Sequence, residues 1–256
     1  VNYKKKSILE NLSIKFSAGL IHGIVGKSGS GKTILIELLA GKREITSGEI
    51  KLSFANNEVG FLTEEDNDKR NILVIDKMKE EIYLYKNMNH LEFNKRIIDS
   101  LKMVNLNESY LYKNWVSLSS GEKKKILIAI MLFHNPKLLL LDDPFRGIDS
   151  KGKNELCKFL KMLKNRYNKT IVITSNDVDS LHKIVDKVYI LNGGNICLSG
   201  DKYQVFSNVS KLKKYGVAVP RCILFSNTVL KRKNIKIGYR DDINDLLKDI
   251  YRYAKW

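Results

Sequence analysis

The apolar positions along the chain fall into two kinds of pattern. "LIHGIV" (20–25), "KLLLLD" (137–142) and "TIVITS" (170–175) are short, nearly unbroken apolar runs. Runs of that length, bounded by polar and turn-forming residues, read as strands buried on both faces. "SGEIKLSF" (47–54) and "NEVGFL" (57–62) alternate apolar and polar positions, as strands with one covered face do. "TILIELLAGK" (33–42) places apolar residues at helical spacing and ends near a glycine. Residues 65–135 are mostly polar-periodic helix, and 151–166 form another helix. "KVYILNGGNICLSG" (187–200) reads as a hairpin across Asn192, Gly193 and Gly194. Strands alternating with helices predict an α/β fold, a mostly parallel sheet covered on both faces. Beyond about residue 207 only short helical stretches near 222–234 and 242–253 follow, with no new parallel strand. The expected division is a main domain over 1–206, with a helical subdomain at about 65–135, and a small C-terminal appendage over 207–256. No internal repeat and no low-complexity linker interrupts the pattern.

Composition narrows the class. A chain of 256 residues that is 43% apolar can bury a real core. Its longest apolar runs, such as "ILIAIML" (126–132), fall far short of the roughly 20 residues that span a bilayer. No signal-peptide pattern opens the chain, and Val1 in place of Met reads as a trimmed start. Cys157, Cys197 and Cys222 are scattered, with no C-x-x-C pair, as thiols in a reducing cytosol are. The net charge of +17 is compatible with nucleic acid or an anionic membrane face. The lysines are spread over the whole chain, a pattern that an AT-rich coding bias also produces. There is no RNP motif, zinc knuckle or evident helix-turn-helix, so a place beside a membrane is favoured and no nucleic-acid partner is expected.

The chemistry begins at "GKSGSGKT" (26–33), which is G-x-x-x-x-G-K-T between a predicted strand and a predicted helix. Gly26, Gly29 and Gly31 let backbone N–H groups turn inward around phosphates, together with Lys27, Ser28 and Ser30. The helix start adds positive potential. Lys32 can reach the β- and γ-phosphates, and the Thr33 hydroxyl can ligate Mg²⁺. Asp142, at the end of a buried strand, is the carboxylate that acts on magnesium directly or through water. Phosphoryl transfer needs these parts because its catalysis is mostly positioning and charge neutralisation.

"SLSSGEKKKILIAIMLFHNPKLLLLDDPFRGIDS" (117–150) carries a more specific likeness. It resembles the signature-to-D-loop segment of ABC ATPases, with Leu118, Ser119, Ser120, Gly121 and Glu122 at the signature. Order and spacing match from Tyr3 to about residue 207. The resemblance implies the P-loop fold of an ABC-type nucleotide-binding domain, with ATP and Mg²⁺ bound at the phosphate loop. It also implies that Ser119 to Glu122 face the γ-phosphate held by the other subunit of a head-to-tail dimer. Asp149, in "GID" (147–149), matches the D-loop at that interface, and Tyr3 matches the aromatic that stacks on adenine. The alternative reading of Tyr3 is an exposed terminal tyrosine.

Three positions depart from the family pattern. The switch-loop glutamine is replaced by Glu64, or by Glu65 where the local alignment is loose. The catalytic glutamate after the magnesium aspartate is Asp143, one methylene shorter. Counting back from Asp186 places Asn176 where the switch histidine normally stands, and an amide cannot carry its positive charge. A misplacement of about 1 Å can lower a rate on the order of 10²-fold. Asp143, Asn176 and Glu64 therefore predict a site that binds ATP and turns it over slowly. Compensation by neighbouring groups is the alternative.

The stretch 212–250 looks like the appendage of energy-coupling factor (ECF) transporter ATPases, through Gly216 to Pro220, Val219–Lys233 and Asp241–Ile250. "MKEEIYLY" (78–85) also resembles a segment of theirs. That likeness implies a peripheral subunit at the cytoplasmic face of the membrane. It would power import of a vitamin or transition-metal ion with a second ATPase, a transmembrane coupling subunit and a substrate-binding membrane subunit. A heterodimer is expected, and a homodimer is possible. The alternatives are the ATPase of a conventional ABC exporter or importer, or a mainly non-hydrolytic assembly subunit.

Overall fold

The structure is a computed structural model that describes residues 2–3, 6–63, 68–82, 88–233 and 237–253. A short antiparallel ribbon, β1 (Asn2–Tyr3) with β2 (Lys6–Ser7), opens the chain. The main sheet contains β3 (Ile21–Val25), β4 (Val59–Leu62), β5 (Leu138–Asp142), β6 (Thr170–Thr174), β7 (Lys187–Asn192) and β8 (Asn195–Asp201). Across the sheet the order is β4-β5-β6-β3-β7-β8. The first five run parallel, and β8 returns antiparallel to β7 through the expected hairpin.

The unbroken apolar runs follow from burial on both faces. Leu138 and Leu140 of β5, with Val172 of β6 and Ile24 of β3, pack against Leu35, Ile36, Leu38 and Leu39. Those four belong to α1 (Lys32–Leu39). The alternate residues Leu139, Leu141, Ile171 and Ile173 face the opposite core. That core takes in α2 (Val74–Glu81), α3 (His90–Met103), α4 (Ser120–Phe133), α5 (Ser150–Tyr167) and α6 (Val178–Ile184). A two-residue strand period therefore sends successive leucines to different helices.

The alternating segment 47–54 departs from expectation: it forms no strand. Ile50 and Leu52 are exposed, while Phe54 packs at the margin of the α1 core. Alternation alone cannot make a strand where no neighbouring edge accepts its backbone bonds. The predicted helical stretch 65–135 resolves into α2, α3 and α4, with short 3₁₀ turns at 108–112 and 115–117. Inside it Trp115 is fully buried, and the buried Lys77 ammonium lies 4.7 Å from its ring and 2.9 Å from the Asp68 carboxylate. Part of the "MKEEIYLY" stretch, residues 83–85, lies outside the described residues.

After β8 come α7 (Lys202–Phe206), α8 (Val209–Lys214), α9 (Arg221–Lys233) and α10 (Ile243–Tyr253). The last two share a small core of Cys222, Ile237 and Leu246. They are fastened to the sheet side by Arg221 pairing with Asp179 at 2.7 Å. Asp241 adds a second tie, accepting from Lys202 at 2.6 Å and from the Tyr203 hydroxyl at 2.5 Å.

Candidate functional site

Three neighbouring strands end at one place. In the order β5-β6-β3, their carboxyl ends carry Asp142 and Asp143, then Thr174 to Asn176, then the loop 26–31. The carboxyl edge of a parallel sheet is where ligands bind in such folds. A cleft of about 660 Å³ opens there. It is lined by Ser28 to Ile34, Asp142, Asp143, Thr174 and Asn176, and also by Ile8, Glu10, Arg146, Gly193 and Gly194.

The loop is built to wrap around something small. A side chain at Gly26 would put its Cβ 2.2 Å from the Leu191 carbonyl oxygen, so only glycine fits. Gly31, with φ of 100°, is the N-cap of α1 and turns the backbone into the helix. The Lys32 ammonium donates to the Gly26 carbonyl at 2.8 Å and the Lys27 carbonyl at 3.0 Å. Burial lowers its pKa from the ordinary lysine value, opposed by Asp143 and Asp142. The Ser30 hydroxyl is buried with no hydrogen-bond partner among the described residues. A tight glycine loop leading into a helix start, one ammonium and one orphaned hydroxyl fit a polyphosphate. Thr33 and Asp142 bring two hard oxygen donors to the same cleft, the set that Mg²⁺ takes alongside substrate phosphates.

Asp142 is almost fully buried and accepts a hydrogen bond from the Thr174 hydroxyl, its neighbour in register on β6. Asp143 follows with φ of 40°, a left-handed conformation uncommon outside glycine. Its N–H donates to the Thr174 carbonyl at 2.9 Å, and its carboxylate accepts from the Ser175 hydroxyl at 2.6 Å. Burial raises the Asp143 pKa above the ordinary aspartate value; the Ser175 bond opposes this and the Asp142 charge adds to it. Asn176 lines the same cleft just past β6. Next to it, Asp177 caps α6 and pairs with Lys153 at 2.6 Å.

Ser119, Ser120, Gly121 and Glu122 are absent from the cleft's lining. They form the start of α4, with Ser119 as N-cap in a reciprocal capping box: Glu122 accepts from the Ser119 N–H at 2.9 Å. The Tyr110 hydroxyl donates to the other Glu122 oxygen at 2.7 Å. These contacts, Tyr110 first, hold the Glu122 carboxyl down to about 2. Asp149 caps α5, accepting from the Gly152 N–H at 2.9 Å. Tyr3 lies in β1, but its side chain is not among the described groups, and Glu64 and Glu65 lie outside the described residues. Sequence reasoning missed Glu10, Arg146 and Thr174, and read the Gly193–Gly194 turn as a hairpin without placing it at the site. Thr174 was findable, because the strand "TIVITS" ends beside the strand that carries Asp142; Glu10 and Gly194 meet only through the fold, by a Glu10 N–H to Gly194 carbonyl bond.

A phosphate loop at the switch edge of a parallel sheet, facing a buried magnesium-type aspartate, defines a P-loop nucleotide hydrolase. The ABC transporter family model matches residues 9–146, and the chain belongs to that family as an ABC-type ATPase. The EcfA2 energy-coupling factor transporter ATP-binding protein of Clostridium perfringens is 32% identical over 91% of this chain and 86% of its own length. EcfA of Methanocaldococcus jannaschii is 28% identical over 97% of this chain and 93% of its own. Among solved structures, cbiO1 from Clostridium perfringens, described as part of the ABC transporter complex cbiONQ, superposes with a TM-score of 0.74 at 25% identity. That match covers 89% of this chain and 95% of cbiO1. A dimeric ATP-binding cassette in a post-hydrolysis state, bound to ADP and Pi, shares the fold with a TM-score of 0.68 at 23% identity, over 76% of this chain and 90% of its own.

Proposed function

We propose that this chain is the ATP-hydrolysing subunit of an ECF-type importer of a vitamin or transition-metal ion, working as one half of an ATPase heterodimer. The observation that carries the reading is a division within the chain. The cleft gathers Lys32, Thr33, Asp142, Asp143 and Asn176, while the capped helix start at Ser119 stands apart from it. Each chain then offers half of two composite sites: its own loop holds ATP, and its α4 start completes the partner's site. The roles follow. Gly26 to Thr33 hold the phosphates, with Mg²⁺ on Thr33 and Asp142. Asp143 acts on the attacking water with Asn176 beside the γ-phosphate, Glu64 serves the switch loop, and Asp149 lies at the dimer interface. Binding at the cytoplasmic face of the membrane suits a chain in which no described helix is long and apolar enough to cross it. The exposed Leu73, bridged to Asn114, and the exposed Val116 offer apolar contact for a transmembrane coupling subunit docking near the switch loop at 59–70. The segment 207–256 is assigned as the ECF-type appendage on 1–206.

Asp143 is shorter than glutamate and turned toward Ser175, and Asn176 is neutral, so this chain's own site turns over slowly. The site completed by Ser119 and Gly121 then carries most of the flux. Tagged chain isolated from detergent-solubilised membranes should bring with it a second ATPase and two membrane proteins. Recovery only as a homodimer without membrane proteins overturns the transporter assignment. In the assembled complex Asp143→Asn should lower steady-state ATPase less than tenfold and Ser119→Arg more than a hundredfold. The reverse order makes Asp143 a full catalytic base.

A further inference from the structure

Arg146 lines the nucleotide cleft together with Lys32, Asp142, Asp143 and Asn176. We propose that Arg146 contacts the terminal phosphate of bound ATP and supplies there the positive charge that Asn176 cannot carry. This rests on reading the cleft as an ATP site. Among the residues lining it, the cations are Lys32 and Arg146, while Glu10, Asp142 and Asp143 are carboxylates. A triphosphate entering such a cleft adds several negative charges to three already there. Lys32 projects from the loop that wraps the phosphates, and Arg146 projects from the aspartate side. The two cations therefore reach the cleft from different strand ends.

The backbone that carries Arg146 is fixed. Its N–H donates to the Asp143 carbonyl at 3.2 Å, which closes a turn directly after the aspartate pair. Phe145, fully buried in the main core, anchors that turn, and Gly147 follows in the left-handed region with φ of 73°. The guanidinium root is thus held in a set relation to Asp143, while the residue itself lines the cleft and is exposed. A planar guanidinium offers two parallel N–H donors to a phosphate, which an amide such as Asn176 matches in neither charge nor donor count. A contact made only to the terminal phosphate also distinguishes ATP from ADP.

The test is calorimetric titration of the full chain with a non-hydrolysable ATP analogue and with ADP, both in magnesium, for wild type, Arg146→Gln and Arg146→Lys. Arg146→Gln should weaken the triphosphate at least tenfold and ADP less than twofold, and Arg146→Lys should recover part of the triphosphate affinity. Thermal melts check that the variants fold; if Arg146→Gln does not, Arg146→Lys carries the comparison, with a triphosphate-selective loss of about threefold expected. Equal losses for both nucleotides, or none, overturn the proposal and leave Arg146 a structural residue of the turn. Wild-type chain that binds neither nucleotide overturns the ATP reading of the cleft itself, and this assignment with it.

Discussion

Thr174 is where the stability of the fold and the geometry of the site meet. Its side chain is fully buried, its hydroxyl donates to a carboxylate oxygen of Asp142, and it accepts from the Asp143 N–H at 3.2 Å. Thr174→Val keeps the shape and removes the hydroxyl. Asp142 is then left as a 3% exposed carboxylate without that donor. A hydrogen bond to a charged group contributes about 1.5–3 kcal/mol, and leaving a buried acceptor unsatisfied forfeits that amount. Thr174→Ser keeps the hydroxyl and loses one methyl group, about 1 kcal/mol. For a chain of this size about 2–4 °C of melting temperature accompanies each kcal/mol, so valine should lower it by roughly 3–12 °C and serine by about 2–4 °C.

The ordering is the diagnostic. On a hydrophobicity scale valine should be the milder change in a buried strand; on the hydrogen-bond argument it is the harsher one. Thermal unfolding by circular dichroism measures the order directly. Urea titration should show a shifted midpoint at an unchanged slope. Freed of its partner, Asp142 should also hold magnesium less well, so the valine variant should need more Mg²⁺ for half-maximal ATP binding than the serine variant does. A valine variant as stable as wild type, or more stable than the serine variant, would falsify the claim that this hydroxyl holds Asp142.

The other predictions concern the helix start, the buried histidine and the appendage. Glu122 has its folded pKa depressed to about 2 from 4.5. Its contribution is therefore complete above 4.5 and is lost as pH falls toward 2. The melting-temperature gap between wild type and Glu122→Gln should hold from pH 6 to about 5 and shrink as pH falls from about 4.5 toward 2, and an unchanged gap across that lower window refutes the assignment. His182, buried and with Nε2 unpartnered among the described residues, is lowered to about 4 from 6.5 by burial. Its unfolded form takes up protons first, so stability falls between pH 6.5 and pH 4 by on the order of 3 kcal/mol. Denaturant midpoints of His182→Gln should lack that acid slope. At Gly216, with φ of 65°, an alanine Cβ would fall 1.8 Å from the Lys27 Cε of the phosphate loop. Gly216→Ala should lose about 1–2 kcal/mol from the left-handed backbone alone. It should also displace Lys27 and weaken ATP binding, which Lys27→Ala in the same chain should partly restore; a neutral Gly216→Ala separates the appendage from the loop.

What could be read from the sequence were features whose cause is local. A buried strand of leucines declares itself because both faces are covered, and "KLLLLD" became β5 to within a residue. The glycine spacing of 26–33 declares itself because the loop's own geometry demands it at Gly26 and Gly31. Ser119 and Glu122 form a capping box three residues apart, so a helix start was legible there too. The segment 47–54 failed for the opposite reason, since alternation describes a face and says nothing of whether an edge is available to pair with.

The site's remaining parts depend on which strands lie side by side. Asp142 and Thr174 are 32 residues apart in sequence yet adjacent in register, and β3 comes to lie on the far side of β6. No local pattern announces that order, and so Thr174, Ser175 and Arg146 escaped notice although each touches or adjoins the aspartate pair. The same order explains why Asp143 alone is hard to judge from its side-chain length. Its reach is set by a left-handed backbone and by the Ser175 hydroxyl just past the end of β6. The missing methylene is therefore one of three constraints on where that carboxylate can go, and the other two come from β6 and from the turn that carries Arg146.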